Sequence, residues 1–493
     1  MMRNKGKSAN LHLKTSRHAR LAVPSVIIFR LFLFVSILVF AILWFTGVIL
    51  VSGPKWYGPI SLEGRAQVRA IQRRLSSGED KAMGKIFPEG QLFSRSFYGF
   101  CLVNMVLSEP EDSQFKTMAI EEIEKLLPKI DALVGEVPFE KCEDITPKGG
   151  IILAGHANLL RAGYIFIGGK DQEILGSFHK KSQILYDEFM KSSVSSLESY
   201  PGFIWPVDNI CALESLRLHD VLFGTDYIKA GEQWVEWMSS NTDSDSGMMV
   251  AQISASGEVY DGPRGCALSW SLALMPGFAP DFASSQYALF RKNWFIQVGG
   301  ITGIREWWPG QEGKMDCDTG PIIGGIGAAA SGFGIAAAKV HGDAENFLKL
   351  LRSAELFGFP TWNVRREKNY FLGRVLLADI LLLWGKTIRV WDRPLEIKTE
   401  PKASMQFGFW VIFSILTLIC MFILYLLLTS LKKIYLEFKK SSKKLSKINI
   451  GFLVFQSSVV ILWLMWSDFS WLYTTVLMGA AAIVENTFFH SKA

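Results

Sequence analysis

Cysteine is scarce in this sequence, and its spacing argues against two common kinds of site. The chain has six cysteines in 493 residues, and none of them forms a CxxC pair or a short-spaced framework. Structural zinc sites need closely paired thiolates, and disulfide scaffolds need dense cysteines at regular spacing. Neither is indicated, and we predict no metal and no other cofactor. Each cysteine is expected to be a small buried hydrophobe.

The sequence also lacks the short motifs of several large enzyme classes. It contains no Walker or Rossmann glycine pattern, no GxSxG elbow and no HExxH helix. These motifs carry nucleotide binding, serine hydrolysis and zinc-dependent hydrolysis. The Gly/Ala run at 324–338 is therefore interpreted as close helix packing. Alternating strand patterns are few as well, and only residues 248–259 are compatible with a hairpin or an irregular arm.

Long apolar runs are present, and they determine the predicted topology. The mean hydropathy is +0.22, and the run at 25–51 is long enough to span a bilayer. Basic residues without any acid precede it, which predicts a cytoplasmic N-terminus. Further runs at 407–430 and 450–487 predict one span and two short spans, separated by a lysine-rich loop. Four spans are expected, with three as the alternative.

The predicted parts of the chain follow from these runs. They are a basic cytoplasmic N-terminus at 1–24, a transmembrane helix at 25–51, an extracytoplasmic domain at 55–400, a transmembrane helix at 407–430, a basic cytoplasmic loop at 431–449 and two short transmembrane helices at 450–487. We expect a multi-pass protein of the plasma (inner) membrane, with its main domain periplasmic or extracellular. The net charge of +6 lies in the cytoplasmic segments, so it indicates anionic lipid of the bilayer as a partner and not nucleic acid.

The central segment is predicted to be all-α. Apolar helices rich in small residues alternate with amphipathic ones, which is typical of an inner ring of buried helices inside an outer ring. Six such pairs predict an (α/α)6 toroid. Helices are expected to begin near Ser61, Glu89, Asp112, Ile152, Asp171, Pro206, Asp226, Arg264, Phe282, Thr319, Asp343 and Asn369. We expect the inner ring to bury Asn158, Ala212, Leu272 and Ala330, and the outer ring to expose Glu122, Lys180 and Lys349.

Polar clusters precede or open the apolar helices, which predicts a common site where the inner helices begin. Pro206 suits a first helical position, and Asp208 then lies one turn inside a buried helix. A carboxylate there needs a partner, a ligand or a catalytic role, although it could simply cap the helix. The candidate catalytic residues are Asp208, His156, Asp261, Glu306 and Asp318. The candidate substrate-binding residues are Trp205, Asn209, Tyr260, Arg264, Trp307 and Trp308.

Each of these candidates has a purely structural alternative. His156 could be a satisfied core histidine, because it lies among small residues on a buried helix. Asp261 lies in a Gly-Pro turn, where aspartate is common for backbone reasons. Asp318 could cap the helix that follows it.

Three stretches resemble the linalool dehydratase/isomerase family: Gly155–Leu159, the segment 205–227 that ends in Phe-Gly-Thr-Asp-Tyr, and Ser269–Leu274. The family folds as an (α/α)6 barrel and adds or removes water at a terpene alcohol by acid–base chemistry. The resemblance covers residues 151–344 and implies that His156 corresponds to the active-site histidine. Asp208 stands where the family has a catalytic cysteine, and Cys266 stands near its active-site tyrosine. The toroid also resembles many glycoside hydrolases and polysaccharide lyases, so fold alone does not decide the reaction.

Three functions remain open at this point. The first is an enzyme that acts on a glycan through two carboxyl groups, one protonated and one ionised. The second is a hydro-lyase on a terpenoid or lipid alcohol, in which His156 and Asp208 exchange the proton. The third is a non-catalytic toroid that binds glycan beside other membrane proteins of an envelope polysaccharide pathway. Tryptophans and several carboxylates at the site would favour a sugar, and a closed apolar pocket would favour a prenyl chain.

Overall fold

The computed structural model describes residues 62–298, 301–311, 313–358 and 360–394, together with six isolated residues between 414 and 429. Within this part of the chain there are thirteen α-helices. They are α1 (Leu62–Ser76), α2 (Glu79–Met83), α3 (Gly90–Ser108), α4 (Ser113–Asp131), α5 (Gly150–Phe166), α6 (Gln172–Lys191), α7 (Pro206–Phe223), α8 (Ile228–Ser240), α9 (Gly265–Leu274), α10 (Pro280–Asn293), α11 (Ala328–Val340), α12 (Ala344–Gly358) and α13 (Leu376–Thr387).

Six of these helices form a closed inner ring. Helix α3 contacts α5, and the contacts continue through α7, α9 and α11 to α13, which returns to α3. Small residues allow the close approach. A Cβ added at Gly155 of α5 would lie 2.9 Å from the backbone nitrogen of Ala212 in α7, so these two helices pack nearly backbone to backbone.

The remaining long helices surround this ring. Helices α4, α6, α8, α10 and α12 each pack on the inner helix that precedes them in the chain, and α1 packs on α13. Their starts follow from their sequences: Asp112 accepts a hydrogen bond from the Phe115 amide at the start of α4, and Asp171 accepts two at the start of α6. Six inner and six outer helices confirm the predicted (α/α)6 toroid.

Burial follows the predicted rings in most positions. Asn158, Ala212, Leu272 and Ala330 are all fully buried, as expected for inner helices, and Lys180 is exposed. For two outer-ring residues the predicted exposure was too high. Glu122 is only partly exposed because it accepts a hydrogen bond from Gln72, and Lys349 is partly covered where it pairs with Glu345.

The all-α prediction needs a correction, because the loops pair as short strands. One sheet is formed by β1 (Phe203–Ile204), β2 (Gln252–Ser254) and β3 (Val259–Asp261), with Phe203 opposite Ser254. Strands β2 and β3 form the arm expected at 248–259. A second sheet has the order β4-β5-β7-β6, and a third is a two-stranded ribbon. These strands are β4 (Phe295–Val298), β5 (Ile301–Arg305), β6 (Ile322–Ile323), β7 (Ile326–Gly327), β8 (Thr361–Trp362) and β9 (Lys368–Asn369).

The predicted transmembrane helices and the multi-pass placement in the inner membrane also need correction. Among the described residues, no helix is both long enough and apolar enough to cross a bilayer. The longest, α6, carries charged side chains because it covers the ring from outside. The predicted segments 1–24, 25–51, 407–430, 431–449 and 450–487 lie outside the described residues, apart from the isolated positions mentioned above.

The segment after α13 closes the end of the ring where the inner helices finish. Trp391 donates its indole N–H to Asn104 Oδ1 at 2.7 Å, and Arg389 donates to the Leu107 carbonyl at 2.7 Å. Asp392 pairs with Arg217 at 2.8 Å. Because Asn104 and Leu107 belong to α3 and Arg217 belongs to α7, this segment links two inner helices that flank α5. We call residues 388–392 the closing segment.

The close packing of α5 on α7 predicts opposite effects for one chemical change at two glycines. Gly155→Ala should lower the free energy of unfolding by about 1–3 kcal/mol, because the new methyl group meets backbone atoms of α7. The matched control is Gly176→Ala on the exposed side of α6, where nothing lies within 4 Å of an added Cβ. It should raise stability by about 0.5–1 kcal/mol. Urea unfolding of both variants tests this, and equal effects would contradict the ring packing.

Candidate active site

The inner helices begin at one rim, and a single connecting segment joins three of their starts. In this segment, residues 197–205, the Glu198 carbonyl accepts the Ile151 amide of α5 at 2.9 Å. The Tyr200 hydroxyl donates to the Glu89 carboxylate at the start of α3, and Trp205 is the N-cap residue of α7. The segment therefore places the first turns of α3, α5 and α7 beside one another.

Asn209 fastens this segment to α7. Its side-chain Oδ1 accepts the Leu197 amide at 2.7 Å, and its Nδ2 donates to the Leu197 and Trp205 carbonyls at 3.2 and 3.1 Å. Asn209 is fully buried. Its hydrogen-bonding groups are thus used within the protein, and it positions the rim rather than presenting an amide to a substrate.

Asp208 lies in the first turn of α7 and is 6% exposed. Burial raises the pKa of its carboxyl well above the usual range, a hydrogen bond with Ser199 opposes this, and the negative charges of Glu89 and Asp318 raise it further. Desolvation and like charge both favour the neutral form of a carboxyl group. Asp208 is therefore suited to hold a proton that it can give away.

Glu89 is the second carboxyl at the rim, and the sequence did not identify it as a site residue. It precedes the first residue of α3 and is half-buried. Burial raises its pKa, the hydrogen bond from Tyr200 lowers it, and the charge of Asp318 raises it. The available signal was its place directly before an apolar helix, which is the same place that marked the other candidates.

Asp318 is the third carboxyl, on the loop between β5 and β6. The residue is exposed, but partial desolvation of its carboxyl raises its pKa, the charge of Asp316 adds to this, and Arg264 opposes it. It does not cap α11, which begins ten residues later at Ala328. The turn is held by Asp316, whose Oδ1 accepts the backbone amides of Asp318 and Thr319, both at 3.0 Å. Asp316, and not Asp318, therefore plays the cap-like role at this turn.

Glu306 is occupied by structural contacts at the start of α9. It is fully buried and accepts from the Cys266 amide at 3.1 Å, the Cys266 thiol at 3.0 Å and Arg264 Nε at 3.1 Å. Burial raises its pKa, and the hydrogen bonds from Cys266 and the charge of Arg264 oppose the rise. Arg264 also binds Asp316 at 2.7 Å and lies 3.7 Å from Asp261. This cluster of ion pairs holds the start of α9 in place, and Asp261 lies at the edge of the cluster.

His156 lies deeper, inside the ring. Its ring is fully buried and stacks on Phe93 with centroids 5.2 Å apart, while Trp270 approaches edge-on at 5.4 Å. Its Nδ1 is 2.7 Å from Ser96 Oγ, and its Nε2 has no hydrogen-bond partner among the described residues. Burial lowers its pKa to about 3, so the imidazole is neutral at physiological pH.

The four aromatic candidates differ in accessibility. Trp205 is half-buried at the rim, and Tyr260 on β3 is 54% exposed. Trp307 is covered: Arg264 lies over its ring at 5.0 Å, and a Cβ at Gly313 would lie 2.1 Å from it. Trp308 packs on the buried Trp294 with centroids 5.0 Å apart. Tyr260 is thus the most exposed of the four, and Trp205, Trp307 and Trp308 are all half-buried.

Two cavities of the described residues are lined by none of these carboxyls. One of about 550 Å³ lies between α1, α2, α3 and α4, and its lining includes Lys81, Gln91 and Lys129. A small one of about 20 Å³ lies against the closing segment. Within the described ranges, no group of three or more His, Cys, Asp or Glu side chains is arranged to hold a metal ion.

Residues 160–367 match the family model described as linalool dehydratase/isomerase. The match confirms the resemblance drawn from the sequence. It begins later and ends further on than the expected range 151–344, and it contains Asp208, Glu306 and Asp318.

Several solved structures are similar to this chain in fold. An unsaturated glucuronyl hydrolase specific for heparin is 14% identical with a TM-score of 0.43, covering 68% of this chain and 96% of that one. A family 105 glycoside hydrolase from C. acetobutylicum ATCC 824 is 9% identical with a TM-score of 0.42, covering 65% and 98%. A D-mannose isomerase is 9% identical with a TM-score of 0.38, covering 60% and 86%. Likeness at this distance says nothing about the reaction of this chain.

The burial of Asp208 predicts how its removal changes stability with pH. When folding raises the pKa of a carboxyl group, that group lowers the free energy of unfolding at pH values above its pKa in the unfolded chain, which is about 3.9. Asp208→Asn should therefore raise the free energy of unfolding at pH 7. The gain over the unchanged protein should shrink toward pH 4, with a slope of at most about 1.4 kcal/mol per pH unit.

Asp112→Asn provides the control with the opposite sign. The Phe115 amide and Arg65 lower the pKa of Asp112, so its substitution should reduce stability at pH 7, and this loss should vanish as pH falls through the folded pKa. Chemical unfolding at several pH values measures both. A loss of stability in Asp208→Asn at pH 7 would show that Asp208 is only a helix cap.

Proposed function

We propose that the chain is an acid–base enzyme that acts on a glycan at the rim where the inner helices begin. The observation that carries the proposal is the convergence of Glu89, Asp208 and Asp318 from three separate elements, where the charges of Glu89 and Asp318 add to the burial that raises the pKa of Asp208. Opposed acid and base roles need carboxyl groups whose protonation states differ at one pH. The interaction among these three groups favours an enzyme over a toroid that only binds glycan.

The roles follow from burial. Asp208 is the most deeply buried of the three, and burial favours its protonated form, so it donates that proton to the leaving oxygen as the bond to the sugar carbon breaks. Asp318 lies on the exposed loop, where water can reach it. As a carboxylate it takes a proton from the attacking water, which forms the new bond to the sugar carbon. Glu89, held by Tyr200, favours the protonated form of Asp208 through its negative charge.

The interior of the ring supports a site at the rim. Phe93, Phe97, Trp270, Phe333 and Trp384 pack against one another and are at most 6% exposed. These aromatic side chains fill the axis, where a prenyl chain would otherwise enter. A sugar bound at the rim would instead lie over aromatic rings such as Trp205, whose apolar faces match those of pyranose rings.

A second candidate is a hydro-lyase on a terpenoid or lipid alcohol. The family match at residues 160–367 favours it, and so does one feature of the interior. His156 Nε2 and Trp270 Nε1 are both buried without hydrogen-bond partners among the described residues, in rings only 5.4 Å apart. Orphaned polar atoms of this kind are unusual. A substrate hydroxyl would satisfy both atoms if the aromatic side chains that fill the axis moved apart to admit it.

Substitution of Asp208 tests the acid role. Asp208→Asn keeps the size of the side chain and removes the proton, so turnover of a glycan substrate should fall by about 10²–10⁴-fold. The protein should remain folded by circular dichroism. Asp171→Asn, at the solvent-exposed start of α6, is the matched control and should retain full activity. Near-full activity in Asp208→Asn would overturn the proposal.

The same assay separates the two candidate reactions. The full chain is incubated with a panel of oligosaccharides, followed by release of reducing ends, and separately with linalool, followed by gas chromatography of alkene products. Glycan cleavage that survives His156→Ala favours the rim mechanism. Alkene formation that is lost in His156→Ala favours the hydro-lyase.

A further inference from the structure

A continuous row of four aromatic rings leads away from the carboxyls at the rim. Tyr200 and Trp205 have ring centroids 5.9 Å apart, Trp205 and Phe203 are 6.0 Å apart, and Phe203 and Tyr260 are 6.3 Å apart. We call Tyr200, Trp205, Phe203 and Tyr260 the aromatic row. Its inner end touches the site directly, because the Tyr200 hydroxyl donates to Glu89.

The row becomes more exposed with distance from the carboxyls. Tyr200 and Trp205 are half-buried, Phe203 is 44% exposed and Tyr260 is 54% exposed. A single exposed aromatic side chain needs no explanation, but contiguous exposed rings beside polar groups mark a binding surface. Packing against the core accounts for the positions of Tyr200 and Trp205. Phe203 and Tyr260 are too exposed for core packing to account for theirs.

The outer rings are held in place by backbone pairing. Phe203 lies on β1 opposite Ser254 of β2, and Tyr260 lies at a bulge of β3 whose neighbours Val259 and Asp261 pair with the other edge of β2. Asn209 fixes the backbone at both Leu197 and Trp205. A surface fixed before binding loses little conformational freedom when a ligand arrives, which favours affinity.

The charges around the row select the kind of ligand. Glu89, Asp208, Asp261, Asp316 and Asp318 all lie along this side of the rim. The basic group beside them, Arg264, is engaged by Glu306, Asp316 and Asp261. An anionic sugar would be repelled by these carboxylates, and Arg264 could not offset the repulsion because it is already paired. Repulsion between like charges is stronger where water is partly excluded.

We propose that the aromatic row binds an uncharged sugar chain whose reacting end lies at the rim carboxyls. The inference rests on the proposed glycan activity and narrows it to neutral oligosaccharides of several residues, as opposed to disaccharides or uronic acid chains. The outer rings Phe203 and Tyr260, whose centroids are 6.3 Å apart and whose planes are inclined at 55°, can each meet one sugar face. Tyr200 stands edge-on to Trp205 and stacks on Phe139, so it anchors the row at the carboxyls and does not offer a face of its own.

The test compares chain lengths on one protein. The full chain carrying Asp208→Asn is titrated calorimetrically with disaccharides and hexasaccharides of glucose, mannose, xylose, N-acetylglucosamine and galacturonic acid. We expect one neutral hexasaccharide to bind at least tenfold more tightly than its disaccharide, and the galacturonate to bind more weakly than either. In Phe203→Ala and Tyr260→Ala, this ratio of affinities should fall about fivefold to tenfold.

Phe357→Ala is the matched control, because Phe357 is 46% exposed on the outer helix α12. It should leave the ratio unchanged. If neutral sugars bind equally well at both lengths, or if a galacturonate binds best, the proposed role of the aromatic row is wrong. The proposed glycan activity is not contradicted by either result. If no sugar binds and geraniol binds instead, with loss in Tyr260→Ala, both the row and the glycan activity are overturned.

Discussion

The arrangement of the rim depends on one buried amide. Asn209 uses its side-chain oxygen and nitrogen on the backbone of residues 197 and 205, and between those points lie Ser199 and Tyr200, the partners of Asp208 and Glu89. Hydrogen bonds formed within a buried region are strong and costly to break. A single side chain on α7 thereby holds the segment that carries the hydrogen-bond partners of two carboxyls.

The sequence predicted the ring well, because the helical spacing of apolar residues and the residues that begin and end helices are local signals. The starts expected at Ser61, Glu89 and Asp112 lie within one residue of the observed ones. The start expected near Thr319 was nine residues early. There, Asp316 binds the amides of the following residues as an N-cap would, yet the chain continues into β6 and β7 before α11 begins. A cap-like turn and a true cap are alike in sequence.

The site was harder to predict, because sequence does not show which polar groups are already in use. Asp208 and Asp318 were predicted and lie at the rim with Glu89, which was missed. Asn209, Glu306 and Trp307 were predicted to be in the site, but their polar groups or ring faces are occupied by Leu197, Arg264 and Gly313. Those partners are distant in the chain or depend on loop geometry. The apolar runs outside the described residues likewise suggested spans that no described helix supports.

The closing segment joins α3 and α7 at the end of the ring opposite the carboxyls. Trp391 and Arg389 fasten it to α3, and Asp392 fastens it to α7. At the rim the same two helices are joined through residues 197–205, by the Tyr200 contact with Glu89 and by the bonds of Asn209. The two helices are thus coupled at both ends, so a shift of either along the ring axis is transmitted to the other.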